Sequence, residues 1–109
     1  MLVLFDNGTP RTLARHLIDR HTVTEARARG WDELENGELL SVAEIAGFEV
    51  LVTTDRNLRY QQNLVGRKIA IVVLGKGRWS VIKPHVDRVV AAINAATPGS
   101  YAEVEIPLG

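Results

Sequence analysis

The sequence of 109 residues contains no cysteine, and this absence removes several classes of chemistry. Disulfide bonds, thiolate zinc sites and a cysteine nucleophile are excluded. Any metal ligand must therefore be a carboxylate, an amide or an imidazole. The lack of cysteine is also compatible with a reducing compartment.

The sequence also lacks an excess of charge of either sign. Lys plus Arg and Asp plus Glu each total 13, so no overall field marks the protein as a partner of nucleic acid or membrane. The first apolar run is too short for a signal peptide, and no segment approaches the length of a membrane helix. We expect a soluble, cytoplasmic protein with no membrane partner, on which any basic surface is local.

Length and hydrophobic content predict one domain over residues 1–109, because a hydrophobic fraction of 46% fills a single core. Short apolar runs alternate with segments of helical spacing, which predicts an α/β fold with three layers and a central, mostly parallel sheet. The strands are predicted at 2–5, 21–25, 50–54 and 69–74, and the helices at 10–18, 37–46, 56–62 and 84–96. Segment 97–109 is predicted to be an edge strand or a partner-binding tail.

Two of the predicted strands are followed by an acid. Asp6 follows the run LVLF and Asp55 follows VLVTT. Ligands gather beyond the carboxyl ends of parallel strands, so these carboxylates are expected side by side if the strands are neighbours. Glu38, in the first turn of a helix, can join them. Three such carboxylates repel one another unless a cation neutralises them, and Mg²⁺ or Mn²⁺ suits oxygen ligands and can activate water for attack on a phosphodiester.

Polar and basic residues lie close to these acids in the sequence. The amides of Asn7, Asn36 and Asn57 would add neutral oxygens to the site. Arg11 and Arg56 are candidates for binding phosphates, and a solvated basic rim is an equal alternative. The same two alternatives apply to Arg15, Arg59, Arg67 and Lys68. The histidines lack metal-ligand spacing, and the tryptophans are expected to anchor the core or loops.

Each acid also has a purely structural explanation. Asp6 lies in the turn-forming stretch DNGTP. Glu38 is favoured near a helix start by the helix dipole, and Asp55 can cap the helix that follows it. The repetition of a strand followed by an acid favours the functional interpretation over these explanations.

Three stretches of the chain resemble the short PIN-like proteins, a branch of the PIN-domain nucleases that includes many toxins of toxin–antitoxin pairs. They are LVLFDNGTPRTLARHL, NGELLSVAEIAGFEVLVTTDRNL and IAIVVL, within about the first three quarters of the chain. Asp6 resembles the family's acid after the first strand, and Asp55 the acid of the motif Thr-x-Asp, with Asn57 close behind. Glu38 resembles the helical acid, although relatives often carry an Asp nearer the position of Asn36.

The resemblance implies a PIN-like fold, a Mg²⁺ or Mn²⁺ site formed by Asp6, Glu38 and Asp55, and cleavage of RNA. It also implies that a cognate antitoxin is a candidate partner, and the sequence is compatible with a homo-oligomer. Full-length PIN nucleases carry a further acid on a helix, and no residue of this shorter chain matches it.

Two other functions remain open from the sequence. The first is a non-catalytic PIN-like module that binds RNA or protein. The second is a phosphotransfer domain of the receiver type, which also gathers acids at strand ends. Receiver domains place two acids together after the first strand, whereas Asp6 has no acidic neighbour, so the second alternative is disfavoured.

Overall fold

The computed structural model describes residues 1–61 and 63–107 of the chain. The final residue of the predicted helix at 56–62, Gln62, lies outside the described residues. So do Leu108 and Gly109, the last two residues of the predicted C-terminal segment.

A five-stranded sheet, parallel throughout, forms the centre of the protein. Its strands are β1 (Leu2–Phe5), β2 (Thr22–Glu25), β3 (Val50–Thr53), β4 (Ala70–Leu74) and β5 (Tyr101–Val104). Their spatial order is β2-β1-β3-β4-β5, so β1 and β3 are direct neighbours and β5 is an edge strand of this chain. The predicted α/β fold with a parallel sheet is confirmed.

Helices connect the strands, and all four α-helices lie between strands of the sheet in the sequence. They are α1 (Asn36–Ile45), α2 (Leu58–Gln61), α3 (Trp79–Ile82) and α4 (Val86–Asn94). Short 3₁₀ helices occupy Arg11–His16, Ala26–Arg29 and Lys83–His85. Because α1 leads into the start of β3, it runs antiparallel to the strands, and its first residues lie at their carboxyl ends.

Two predicted helices differ from those observed. The segment after β1 forms a 3₁₀ helix at Arg11–His16 instead of the predicted α-helix at 10–18. The single proton of the Thr9 hydroxyl is shared between two acceptors, Asp6 Oδ1 and the Val52 carbonyl oxygen, so Thr9 is bound to the strand ends and does not cap a helix. The helix predicted at 84–96 is observed as the shorter α4, Val86–Asn94. A separate helix, α3, and a 3₁₀ turn at Lys83–His85 precede it and were not predicted.

Alternate side chains of the strands build one hydrophobic cluster on each face of the sheet. Phe5 and Val52 pack with Leu13 and Ile93 on one face. The opposite face places Leu4, Leu51 and Ile71 against α1 through Leu40 and Ala43. Each fully buried Leu, Ile or Phe contributes roughly 1.5–3 kcal/mol relative to an exposed one. The sheet therefore lies between two helical layers.

No helix of residues 1–61 and 63–107 is long and apolar enough to cross a membrane.

A partly buried ion pair between Arg67 and Glu44 joins α1 to the segment that leads into β4. Arg67 Nη1 donates to Glu44 Oε1 at 2.8 Å and to Ser41 Oγ at 3.1 Å, and the Lys68 backbone N–H donates to Glu44 Oε2 at 3.0 Å. Partial burial raises the pKa of Glu44, but the hydrogen bonds from Arg67 and Lys68 and the charge of Arg67 outweigh it, and the pKa is lowered.

We predict that Glu44→Gln lowers the free energy of unfolding by about 1 kcal/mol at neutral pH, because a charge-assisted hydrogen bond is lost. A carboxylate with a lowered folded-state pKa contributes stability above its unfolded pKa and loses it as the pH falls. The gap between wild type and variant should therefore close on acidification. Urea unfolding across pH measures it, with the exposed Glu33→Gln as control. A gap that persists in acid would contradict this assignment.

Candidate functional site

The carboxyl ends of β1 and β3 form the candidate site. Phe5 and Val52 are paired in the register of these strands, and the Asp6 backbone N–H donates to the Val52 carbonyl at 3.1 Å. Asp6 therefore leaves β1 directly beside the last residues of β3, and Asp55 follows two residues after Thr53. The strands that carry the two acids are neighbours, as the prediction of a shared site required.

Three donors hold the Asp6 carboxylate. The Gly8 backbone N–H and the Thr9 hydroxyl donate to Oδ1 at 3.1 and 2.9 Å. The Thr53 hydroxyl donates to Oδ2. The turn-forming role expected for DNGTP is thus present, and it accounts for one of the two carboxylate oxygens.

Two donors hold the Asp55 carboxylate. The Asn57 backbone N–H donates to Oδ1 at 2.9 Å, and Asn36 Nδ2 donates to Oδ2 at 2.8 Å. The second bond brings the first turn of α1 onto the end of β3. Asn36 is the first residue of α1, one position before the predicted start at 37, and Glu35 occupies the cap position. The Asn36 amide serves the site by donating to Asp55 through its nitrogen, not by offering its oxygen as predicted.

Thr53 joins the two acids. Its side chain is buried, with 1% of the residue exposed, and its hydroxyl oxygen accepts from the Asp55 backbone N–H at 3.1 Å while donating to Asp6 Oδ2. Sequence reasoning read Thr53 only as a β-branched strand residue. The first position of the Thr-x-Asp motif was the signal that could have identified it.

Glu38 is not drawn into this hydrogen-bond network. It is exposed, and in the part of the chain that the structure describes it makes no side-chain hydrogen bond or ion pair. Helical geometry explains this, because a residue two positions after Asn36 points about 200° around the helix axis from it. Within residues 1–61 and 63–107, no three His, Asp or Glu side chains converge closely enough to hold a metal ion.

The predicted supporting residues have mixed positions. Asn7 Nδ2 donates to the Asp32 carbonyl at 2.6 Å, which ties the loop after β1 to the segment before α1. Asn57 is exposed and serves Asp55 through its backbone N–H. Arg11 pairs with Glu25 at 3.1 Å, at the end of edge strand β2. Arg56 lies against Gly75, in the loop after β4.

Other residues singled out in the sequence lie outside the site. The His16 ring stacks near Trp79 at 5.5 Å, and His21 bonds Asn94 at 2.6 Å. Arg67 is occupied by Glu44, as described above. These placements agree with structural roles for the histidines and for Trp79.

Three loops pack closely against one another at the carboxyl ends of the strands. A Cβ built on Gly8 would collide with Thr54 Oγ1, and one on Gly77 would lie 2.9 Å from the Gly8 carbonyl oxygen and 3.5 Å from Thr54 Cγ2. The loops after β1, β3 and β4 therefore meet at Thr54. Only glycine permits this approach at both positions, because any side chain would separate the loops.

The oxygen donors of the site fit a hard divalent cation. Asp6 Oδ2 and both Asp55 oxygens accept one hydrogen bond each, so each retains a lone pair, and their donors fix the carboxylate orientations. Mg²⁺ binds through one or two carboxylates and keeps several waters, which matches a pair of acids better than a closed cage.

No protein-family model, curated protein or solved structure matches this chain. The geometry of the site itself is therefore the basis for any functional conclusion.

We predict that Thr53→Val lowers the free energy of unfolding by about 1–3 kcal/mol, because the variant keeps the side-chain shape but leaves buried polar groups of Asp6 and Asp55 without their partner. Urea unfolding measures the change. Thr22→Val, on the exposed edge strand β2, is the matched control and should change stability far less. Equal losses of unfolding free energy in the two variants would show that the hydrogen bonds of Thr53 make no specific contribution to stability.

Proposed function

We propose that this protein is a metal-dependent ribonuclease of PIN-like type, in which Asp6 and Asp55 are the principal ligands of Mg²⁺ or Mn²⁺. The observation that carries the proposal is the pair of carboxylates on adjacent strand ends, joined by the hydroxyl of Thr53. The resemblance of the sequence to PIN-like proteins supports the same function. When bound, the metal would supply activation of water and neutralisation of charge at the phosphodiester.

The residues of this chain would prepare the site before substrate arrives. The donors to Asp6 and Asp55 fix both carboxylates, so little reorganisation is needed when positive charge enters. Asn36, at the start of α1, stabilises the negative charge of Asp55 by donating a hydrogen bond to its carboxylate. Glu38 lies about half a turn further along the same helix and is exposed, and it is proposed as a third acid that would act through its charge rather than by direct contact with the metal.

A second candidate is a non-catalytic PIN-like module that binds RNA or protein. The observation that favours it is that all four oxygens of Asp6 and Asp55 already accept hydrogen bonds from the protein. Carboxylates with such a role can serve structure alone. The two candidates differ in metal binding and in turnover, and both can be measured.

The resemblance also supports a toxin role, with a cognate antitoxin as partner. A small adjacent open reading frame whose product forms a stable complex with this protein would support that role. Co-expression followed by size-exclusion chromatography tests complex formation and also reports whether the protein forms a homo-oligomer.

We predict that Mn²⁺ binds the wild-type protein and that Asp6→Asn and Asp55→Asn each weaken binding more than tenfold, because each removes one charged ligand. Glu38→Gln should weaken it less. Isothermal titration calorimetry measures the affinities, and Asp19→Asn, exposed in the turn before β2, is the control. Circular dichroism establishes that each variant is folded. Unchanged binding in both aspartate variants would refute the proposed site.

We predict that the wild-type protein cleaves RNA with Mn²⁺, that EDTA stops cleavage, and that Asp6→Asn and Asp55→Asn abolish it while Asp19→Asn does not. Gel analysis of end-labelled structured and single-stranded RNAs detects the products. Metal binding without cleavage of any RNA would select the non-catalytic module.

A further inference from the structure

The loop that follows β4 carries two positively charged residues, Lys76 and Arg78. It reads Gly75, Lys76, Gly77, Arg78, and it lies beside Arg56 of the loop after β3. In the part of the chain that the structure describes, neither Lys76, Arg78 nor Arg56 has a carboxylate within 4.0 Å. Three arginines elsewhere are paired: Arg11 with Glu25, Arg59 with Glu103, and Arg67 with Glu44.

The two glycines fix where this loop lies. A Cβ on Gly75 would come within 2.5 Å of Arg56 Nη2, and a Cβ on Gly77 would come within 2.9 Å of the Gly8 carbonyl oxygen. Gly75 therefore abuts the loop that carries Asp55, and Gly77 abuts the loop that carries Asp6. Lys76 lies between Gly75 and Gly77 in the sequence, so it belongs to the stretch that contacts both the loop carrying Asp55 and the loop carrying Asp6.

The acids and the cations of this region differ in their partners. The two carboxylates are each held by hydrogen-bond donors of the protein, whereas Arg56, Lys76 and Arg78 form no ion pair with a carboxylate of residues 1–61 and 63–107. Lys and Arg side chains of this kind bind nucleic-acid phosphates, and binding releases the counterions that surround the strand. Arg56 also lines a small cavity of about 100 Å³ together with Glu103 and Glu105, and these two carboxylates disfavour a phosphate path toward β5.

We propose that the Gly75–Arg78 loop, together with Arg56, binds the sugar–phosphate backbone of an RNA strand next to the acids. This inference rests on the proposed function for the identity of the strand. Lys and Arg contacts to phosphates position a nucleic-acid strand without reading its base sequence, so we expect binding that is independent of sequence. Gly75 and Gly77 serve it by letting the cationic loop approach the two acid-bearing loops.

The test measures binding separately from cleavage. Fluorescence anisotropy follows a labelled single-stranded RNA as it binds the full chain in EDTA, where metal-dependent turnover is stopped. We expect Lys76→Gln, Arg78→Gln and Arg56→Gln each to weaken binding about 3–10-fold at low salt, and to reduce the slope of log affinity against log salt by about 0.7. Unlabelled RNAs of different sequence should compete equally.

A matched control removes the same charge at the other end of the strands. Arg20→Gln lies just before the start of β2, and Arg20 is exposed. This control should leave binding unchanged. Equal losses in the loop variants and in Arg20→Gln, or no loss in the loop variants, would overturn the inference. Sequence-dependent competition or no binding by the wild type would do the same.

The two proposals can fail separately. Loop-dependent binding of RNA without any cleavage in Mn²⁺ would sustain this inference and refute the nuclease. Cleavage by the wild type, with RNA affinity unaffected by the loop variants, would sustain the nuclease and refute the inference.

Discussion

The hydroxyl of Thr53 is the interaction on which the candidate site depends. Adjacent strands of a parallel sheet lie about 4.8 Å apart, so acids that leave neighbouring strand ends are forced into proximity and repel. Thr53 connects the two strand ends, because its hydroxyl donates a hydrogen bond to Asp6 and accepts one from the backbone N–H of Asp55. Since Thr53 is buried at the end of β3, the site is built on the rigid sheet and not on the loops alone.

Close loop packing extends that constraint to the rest of the sheet edge. Thr54, the next residue, fills the space beside Gly8 and Gly77, so the loops after β1, β3 and β4 share one contact point. A substitution that moves one of these loops would therefore displace the other two. The two acids and the basic residues Arg56, Lys76 and Arg78 thus belong to one structural unit, although they come from three separate segments of the chain.

The sequence predicted the sheet well because buried parallel strands have an unmistakable pattern. LVLF and VLVT are short apolar runs that stop at polar residues, and the acids after them fall where the topology requires. The hydrogen bonds of the site could not be predicted in the same way. Thr9 and Thr53 reach the site through tertiary contacts, whereas local propensity indicates only a residue at a helix start and a residue in a strand. Glu38 shows the same limit, since its position near the helix start was predictable but its direction around the helix was not.

Asn36 bears directly on the metal site proposed above. A neutral amide at that position donates to Asp55, whereas a carboxylate there would repel it. In the proposed site two charged ligands would match the charge of one Mg²⁺, but the cation would compete with the hydrogen bonds that both acids accept from the protein. We therefore expect such a site to bind metal less tightly than a triad of acids would. On the proposed function, RNA phosphates would supply further ligands, and metal binding would then be coupled to substrate binding.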